Sequence, residues 1–294
     1  MDHHKIGNVS VTRIAEREPY AEAFYSFFPD MPKEALAANA HWLAPHHFDP
    51  ASQSLRLHFH SWLVRTAHHT ILVDTCNGNN KPRPGYAMSD QLNTPFLANL
   101  QAAGVAPEDI DFVMCTHLHG DHVGWNTRLH NNEWVPTFPN ATYLMSKIEH
   151  DTWAERSKDP SRPQRNRATY QDSILPVVER GMARMIEGVH AVDDSFSIHP
   201  APGHTPGTCR ADLASGGKHA SFCGDILHSP LQIEYWRINS RACEDQAMAA
   251  QSRREVLSLC AERHGLLMPM HFGPPFVSYI KATANGGFAV DMNV

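Results

Sequence analysis

The stretch "CTHLHGDHVGWN" (Cys115–Asn126) follows the apolar run "DFVM" (Asp111–Met114). Three histidines and an aspartate fall within positions 117–122. A short apolar run of this kind reads as a strand buried on both faces, so these side chains arrive at a strand end. His117 and His119 are two apart and can point to one side. Gly120 lets the backbone bend sharply, and the turn throws Asp121 and His122 toward a second point nearby. One short loop thus offers two adjacent sets of metal-type donors. Imidazoles suit a borderline cation such as Zn²⁺, and a carboxylate adds charge and hardness.

Three more polar residues follow directly on apolar sequence. They are His204 in "APGHTPGT", Asp225 in "FCGDILH" and His271 in "LMPMHFG". A rigid sheet presents functional groups at its edge in this way. Between these points the pattern alternates strands and helices. Val9–Ile14, Ile71–Asp74, Asp111–Thr116, Ala141–Ser146 and His219–Asp225 read as strands, with short ones around Val192, Ser197 and Ala211. Leu55–Val64 has period two, which puts His58 and His60 on a solvated face. Helices are expected over Thr94–Ala103, from Lys147, around Val177–Ile186 and, amphipathically, over Asp245–Arg263. Arg156–Arg167 reads as an exposed loop. Residues 20–50 are aromatic and proline-punctuated, the composition of a lid or a dimer contact on a single domain spanning 1–294.

Taken together, these segments resemble the metallo-β-lactamase superfamily. Its HxHxDH motif stands as His117-Leu118-His119-Gly120-Asp121-His122, and the remaining donors His204, Asp225 and His271 follow in the family's order. The resemblance spans about residues 55 to 275. It implies an α/β fold, a four-layer αββα sandwich, holding two divalent metal ions at one edge. It assigns His117, His119 and His204 to the first metal, Asp121, His122 and His271 to the second, and Asp225 to both. It also implies that Asp74, in "ILVDT", supports the metal loop from behind. Zn²⁺ is the first expectation, with Mn²⁺, Fe²⁺ and Co²⁺ compatible with the same donors.

Such a pair of cations lowers the pKa of a shared water from 15.7 toward about 7 and polarises a carbonyl or phosphoryl oxygen. No serine or cysteine nucleophile is then needed, and no GxSxG turn occurs. The expected activity is hydrolysis of small carboxylic esters, lactones or phosphotriesters, with Asp121, Asp225 and His228 as candidate catalytic residues. Superfamily lactonases that open acyl-homoserine lactones commonly carry tyrosine three residues after the bridging aspartate. Here that position is His228, as on the methyl-parathion-hydrolase side of the family. Acyl-homoserine lactonase is the alternative within enzymes; a catalytically idle metal-binding regulatory module is the alternative outside them. Thioester hydrolysis of the glyoxalase type is disfavoured, because only about 20 residues follow His271. A β-lactam hydrolase with a cysteine ligand would place Cys where Asp225 stands, and a flavodiiron protein would need Glu at position 119. Trp125, Phe272, Phe24, Phe27 and Phe28 are the candidate lining of an aromatic substrate pocket.

Composition bounds the partners. Net charge is −6 over 294 residues, which argues against nucleic acid or an anionic membrane as partner, since both favour a basic face. Nothing resembles a signal peptide or a spanning helix, so cytoplasm is the expected compartment. The expected partners are a small ester or lactone and, through residues 20–50, a second copy in a homodimer. None of the six cysteines forms a CxxC pair, and Cys115, Cys209 and Cys223 read as small buried hydrophobes.

Overall fold

A computed structural model describes residues 2–293. By internal contacts the chain divides into two compact units, Met1–Arg17 with Phe59–Ser195, and Glu18–His58 with Phe196–Val294. Each contains strands of a mixed sheet and its own apolar core.

The first sheet runs in the order His3–Ile6, Val9–Ala23, Ser54–Arg65, Thr70–Val73, Phe112–Met114, Thr142–Ser146 and Ala183–Ile186, with Phe48–Asp49 pairing beside Ser54–Arg65. Its last four strands are parallel neighbours. Parallel strands end on the same side, so the loops after Val73, Met114 and Ser146 emerge together. Helix Phe96–Ala102 covers part of this unit, with Phe96 and Leu100 buried against Val113, Tyr143 and Ile174. A buried cluster ties the loop after Asp74 to the helical segment 164–179. Arg83 makes a two-pronged bond to Asp172 (2.6 and 2.8 Å), and Lys81 donates to Thr127 Oγ1 (2.6 Å) and to the Asp172 carbonyl (3.0 Å).

The second sheet runs His190–Ala191, Phe196–Pro200, Cys209–Ser215, Lys218–Gly224, Leu266–Pro269, Ser278–Ala282 and Phe288–Asp291. Lys218–Gly224 and Leu266–Pro269 run parallel, and Gly224 pairs with Pro269. Helix Gln246–Arg263 packs Ala249, Arg253, Val256, Leu257 and Cys260 inward, a stripe at three- and four-residue spacing. Asp245 caps it by accepting from Met248 N–H (2.9 Å), and His264 closes it in the left-handed conformation (φ 47°).

Most expected elements are found, with four differences. The first long strand continues from Val9 to Ala23. The expected helix around Val177–Ile186 stops at Glu179, and Ala183–Ile186 is a parallel strand beside Thr142–Ser146. Arg156–Arg167 is not loop throughout, because a helix begins at Gln164. His60 is buried, not solvated: the strand Ser54–Arg65 is covered on both faces from Phe59 to Val64. All six cysteines are free and buried. No helix among the described residues is long and apolar enough to cross a membrane.

Candidate metal centre

The first unit carries the motif loop. His119 is extended, and one helical turn, Gly120–Val123, follows it. That switch of backbone places His117 and His119 on one side and Asp121 and His122 on the other. His117 Nε2 lies 2.9 Å from His119 Nδ1, and the His117 and His122 rings are 4.1 Å apart. His122 Nε2 lies 3.9 Å from Asp121 Oδ2. Because Val73 pairs with Met114 across parallel strands, Asp74 emerges beside Thr116. Its carboxylate accepts from Thr116 N–H (2.7 Å), Thr116 Oγ1 (2.7 Å) and His122 Nδ1 (2.8 Å). The support expected of Asp74 is therefore present as hydrogen bonds. Glu149, at the third parallel strand end, accepts from Leu118 N–H (3.1 Å) and Trp153 Nε1 (2.8 Å).

The loop is also pinned from below. Thr75 N–H donates to His122 O (2.7 Å), Gly124 N–H to Cys76 O (2.7 Å) and Trp125 N–H to Thr75 O (2.8 Å). A Cβ on Gly124 would lie 1.8 Å from Asn77 O, so only glycine permits this approach. Buried Glu16 accepts from Asn77 N–H (3.0 Å), Asn77 Nδ2 (2.8 Å), Gly78 N–H (2.9 Å) and Trp125 Nε1 (2.9 Å). Burial raises its pKa to about 6 despite these donors, which favour the carboxylate.

The second unit carries the other donors. Gly224 and Pro269 pair in parallel, so Asp225 and His271 emerge side by side. The turn Ala201–Thr208 joins two antiparallel strands at the same end, because Cys209–Ser215 runs antiparallel to Lys218–Gly224. His204 Nε2 lies 3.2 Å from Asp225 Oδ2, His228 Nε2 3.1 Å from the same oxygen, and His271 Nε2 3.0 Å from Oδ1. Three imidazoles thus face one carboxylate. His228 stacks parallel to His271 and meets Phe27 edge-on at 5.0 Å. Burial holds its pKa down to about 4, so it is a neutral imidazole; Asp225 opposes that shift. At His204 burial also disfavours the cation, but the Asp225 charge reverses the effect and raises the pKa. Loading a cation there would expel that proton.

Within each unit the imidazoles differ in what holds the nitrogen turned away from the neighbouring donors. His122 uses Asp74. His271 Nδ1 donates to the His58 carbonyl (2.8 Å), and His117 Nδ1 lies 3.1 Å from Thr116 Oγ1. His204 Nδ1 meets Cys243 Sγ at 3.7 Å. His228 Nδ1 is buried with no hydrogen-bond partner among the described residues.

This donor chemistry fits a divalent metal. His117 Nε2 and His119 Nδ1 sit close enough to need something shared between them, as do the nitrogens around Asp225. The donor-type side chains are His117, His119, Asp121 and His122 in the first unit and His204, Asp225 and His271 in the second, and an N/O donor set of neutral imidazoles and carboxylates suits Zn²⁺ or its neighbours.

The candidate pocket residues are placed as follows. Trp125 packs flat on Phe96 (5.4 Å) with its N–H on Glu16. Phe272 lies in the second unit's core, edge-on to His47. Phe24 is buried against Phe28 and Phe48, and Phe27 reaches the Asp225 group through His228. Within residues 20–50, Phe24, Phe27, Phe28 and Phe48 are buried in their own unit, while Tyr20, Tyr25 and Trp42 are half-buried. Sequence reading passed over Cys243, Glu16, Glu149 and Arg253. Buried Arg253 donates to Ile226 O (2.7 Å), Trp236 O (2.7 Å) and Asn239 Oδ1, fixing the segment after Asp225. No local pattern marks any of them, because each acts on residues distant in sequence.

Residues 59–279 match the sequence model of the metallo-β-lactamase superfamily. The chain belongs to this superfamily. Its α/β architecture is the superfamily's fold. Among superfamily relatives, the N-acyl homoserine lactonase AiiB of Agrobacterium fabrum is 28% identical over 102 residues, covering 30% of this chain and 36% of that protein. The chain thus matches about a third of that lactonase's length. Metallo-beta-lactamase domain-containing protein 1 of Xenopus laevis is 28% identical over 70% of this chain and 67% of its own length. A solved structure of AidC, a dizinc quorum-quenching lactonase in complex with a homoserine product, shares the fold with a TM-score of 0.80 at 24% identity, covering 99% of this chain and 97% of that one.

Proposed function

We propose that the chain is a dinuclear metal hydrolase of small esters and lactones, in which both units serve one catalytic domain. In this reading His117, His119, His204 and Asp225 hold one cation, and Asp121, His122 and His271 hold the other, with Asp225 shared. The observation that carries it is the convergence of His204 and His271 on opposite oxygens of Asp225. The crowded imidazoles of the 117–122 loop match it. Two divalent cations bound there, zinc being the first to test, supply an activated water at neutral pH and polarise the scissile carbonyl.

The chain's own residues then have defined tasks. Asp225 lies against the donors and can carry a proton from attacking water toward the leaving oxygen. His228 donates Nε2–H to Asp225, which leaves Nδ1 as an unsatisfied acceptor for a substrate or water hydrogen. Asp121 completes the second donor set, so its charge offsets that of the cation. Phe27, packed on His228, supplies an apolar contact for an acyl or aryl group. Lactones lead the substrate classes because named relatives are lactonases. Phosphotriesters are a second reading, favoured by histidine rather than tyrosine at position 228.

The test is metal content of the purified protein together with turnover of lactones, aryl esters and phosphotriesters, with and without chelator. Two ions per chain and chelator-sensitive turnover in at least one class are expected. Failure to bind two ions, or turnover indifferent to chelator, would overturn the proposal.

A further inference from the structure

The His204 turn is gripped from behind by one segment of chain. Glu244 N–H donates to His204 O (3.1 Å), and Asp245 N–H to Gly203 O (2.9 Å). Ser252 Oγ donates to Pro202 O (2.7 Å). Gly203 (φ 127°) lies so close to the start of helix Gln246–Arg263 that a Cβ would be 2.1 Å from Ala249 N. The first residue of this gripping segment, Cys243, sets its sulfur 3.7 Å from His204 Nδ1. Cys243 is itself fixed, with N–H on Ser240 O (3.1 Å) and Sγ 3.6 Å from Ser240 Oγ.

The ring's two nitrogens therefore have separate tasks. Nε2 faces Asp225 and is the donor available to a cation. Nδ1 faces sulfur. A histidine that ligates through Nε2 carries its proton on Nδ1, and the partner of that N–H fixes both tautomer and ring angle. His122 has a carboxylate in this position and His271 a backbone carbonyl. His204 has a thiol.

We infer that Cys243 is a positioning residue for the metal centre: its sulfur accepts the Nδ1–H of His204, and so holds Nε2 aimed at the cation that His117 and His119 are proposed to share. This inference rests on the dinuclear reading above. The assignment also gives Ser240 a role, since its hydroxyl limits where the sulfur can sit.

The test compares metal binding by the full-length protein and three variants. Dissociation constants for Zn²⁺ come from chelator competition, and the Co²⁺-loaded forms give ligand-field spectra. Cys243→Val keeps volume but removes the acceptor; Cys243→Ser keeps an acceptor of similar size. Cys243→Val is expected to weaken one of the two sites about 10- to 100-fold, the usual range for losing such a partner, to leave the other within about threefold, and to shift the Co²⁺ spectrum. Cys243→Ser is expected to recover most of that loss. Cys243→Ala serves as a volume control and should resemble the valine variant. If Cys243→Val binds both ions as tightly as the parent protein, or Cys243→Ser is as weak as Cys243→Val, the inference is overturned. If the parent protein itself fails to bind two ions, it is the dinuclear reading that falls.

Discussion

At the scale of single residues, the proposed centre is a set of imidazoles sorted by the partner each keeps on its outer nitrogen. His117, His122, His204 and His271 have a partner there, and His228 Nδ1 has none among the described residues. That difference separates proposed ligands from a group that meets substrate. His228→Ala should keep two bound metals and lose about 10²-fold or more in kcat, the scale of one acid–base group; loss of metal with the activity would assign it to the ligand set instead. His228→Tyr, which restores the residue common among superfamily lactonases, should shift the ratio of lactone to phosphotriester turnover toward lactone. Asp225→Asn removes a charge faced by three imidazoles and should lower both metal affinity and turnover, the latter at least about 10³-fold. Unchanged metal content and rate would exclude Asp225 from the centre. The proposed ligand residues were legible because each is a donor-type side chain set at the end of an apolar run. Cys243 was not. Its contact with His204 closes over 39 positions in sequence, and a buried cysteine looks the same in a sequence whether or not it faces a histidine.

At the scale of elements, the motif loop depends on backbone meeting backbone. Gly124→Ala should be among the most damaging single changes in the first unit, costing about 3 kcal/mol or more, because Asn77 O belongs to a loop that is itself hydrogen-bonded and cannot retreat. A soluble variant with a parental melting temperature would contradict that. Gly120→Ala should be milder, since the nearest atom to a Cβ there is the Thr169 hydroxyl, at 3.0 Å, a side chain rather than backbone. Glu16→Gln turns an acceptor of four donors into a group that brings donors of its own. It should cost about 2–3 kcal/mol, seen as a lower denaturation midpoint. Helix Gln246–Arg263 was readable from its buried stripe and its Asp245 cap. Strand Ala183–Ile186 was not, since four apolar or ambivalent residues fit helix and strand equally and only the parallel neighbour Thr142–Ser146 decides. His60 shows the same limit: period two reports two faces but not that both are covered.

At the scale of the whole molecule, stability should respond to metal and to acid. Ions that bind the folded chain alone stabilise it by about 4 kcal/mol at a free concentration 1,000 times Kd. Melting temperature should therefore fall by several degrees on adding chelator and recover on adding Zn²⁺ back. His47 sets part of the acid response. Burial lowers its pKa to about 3, below its value of about 6.5 in an unfolded chain. The unfolded state takes up the proton first, so this contribution is complete above about pH 6.5 and shrinks as pH falls, by about 1.4 kcal/mol per unit at most. His47→Asn should flatten the loss of stability between pH 7 and 5; an unchanged slope would show that other groups carry it.

The burial of every cysteine gives the folded chain its own internal clock. Cys76 and Cys115 lie in the first unit and Cys209, Cys223, Cys243 and Cys260 in the second. A thiol-directed reagent can reach them only when the surrounding packing opens. Peptide-resolved labelling over time would therefore time the opening of each unit separately, without any engineered probe.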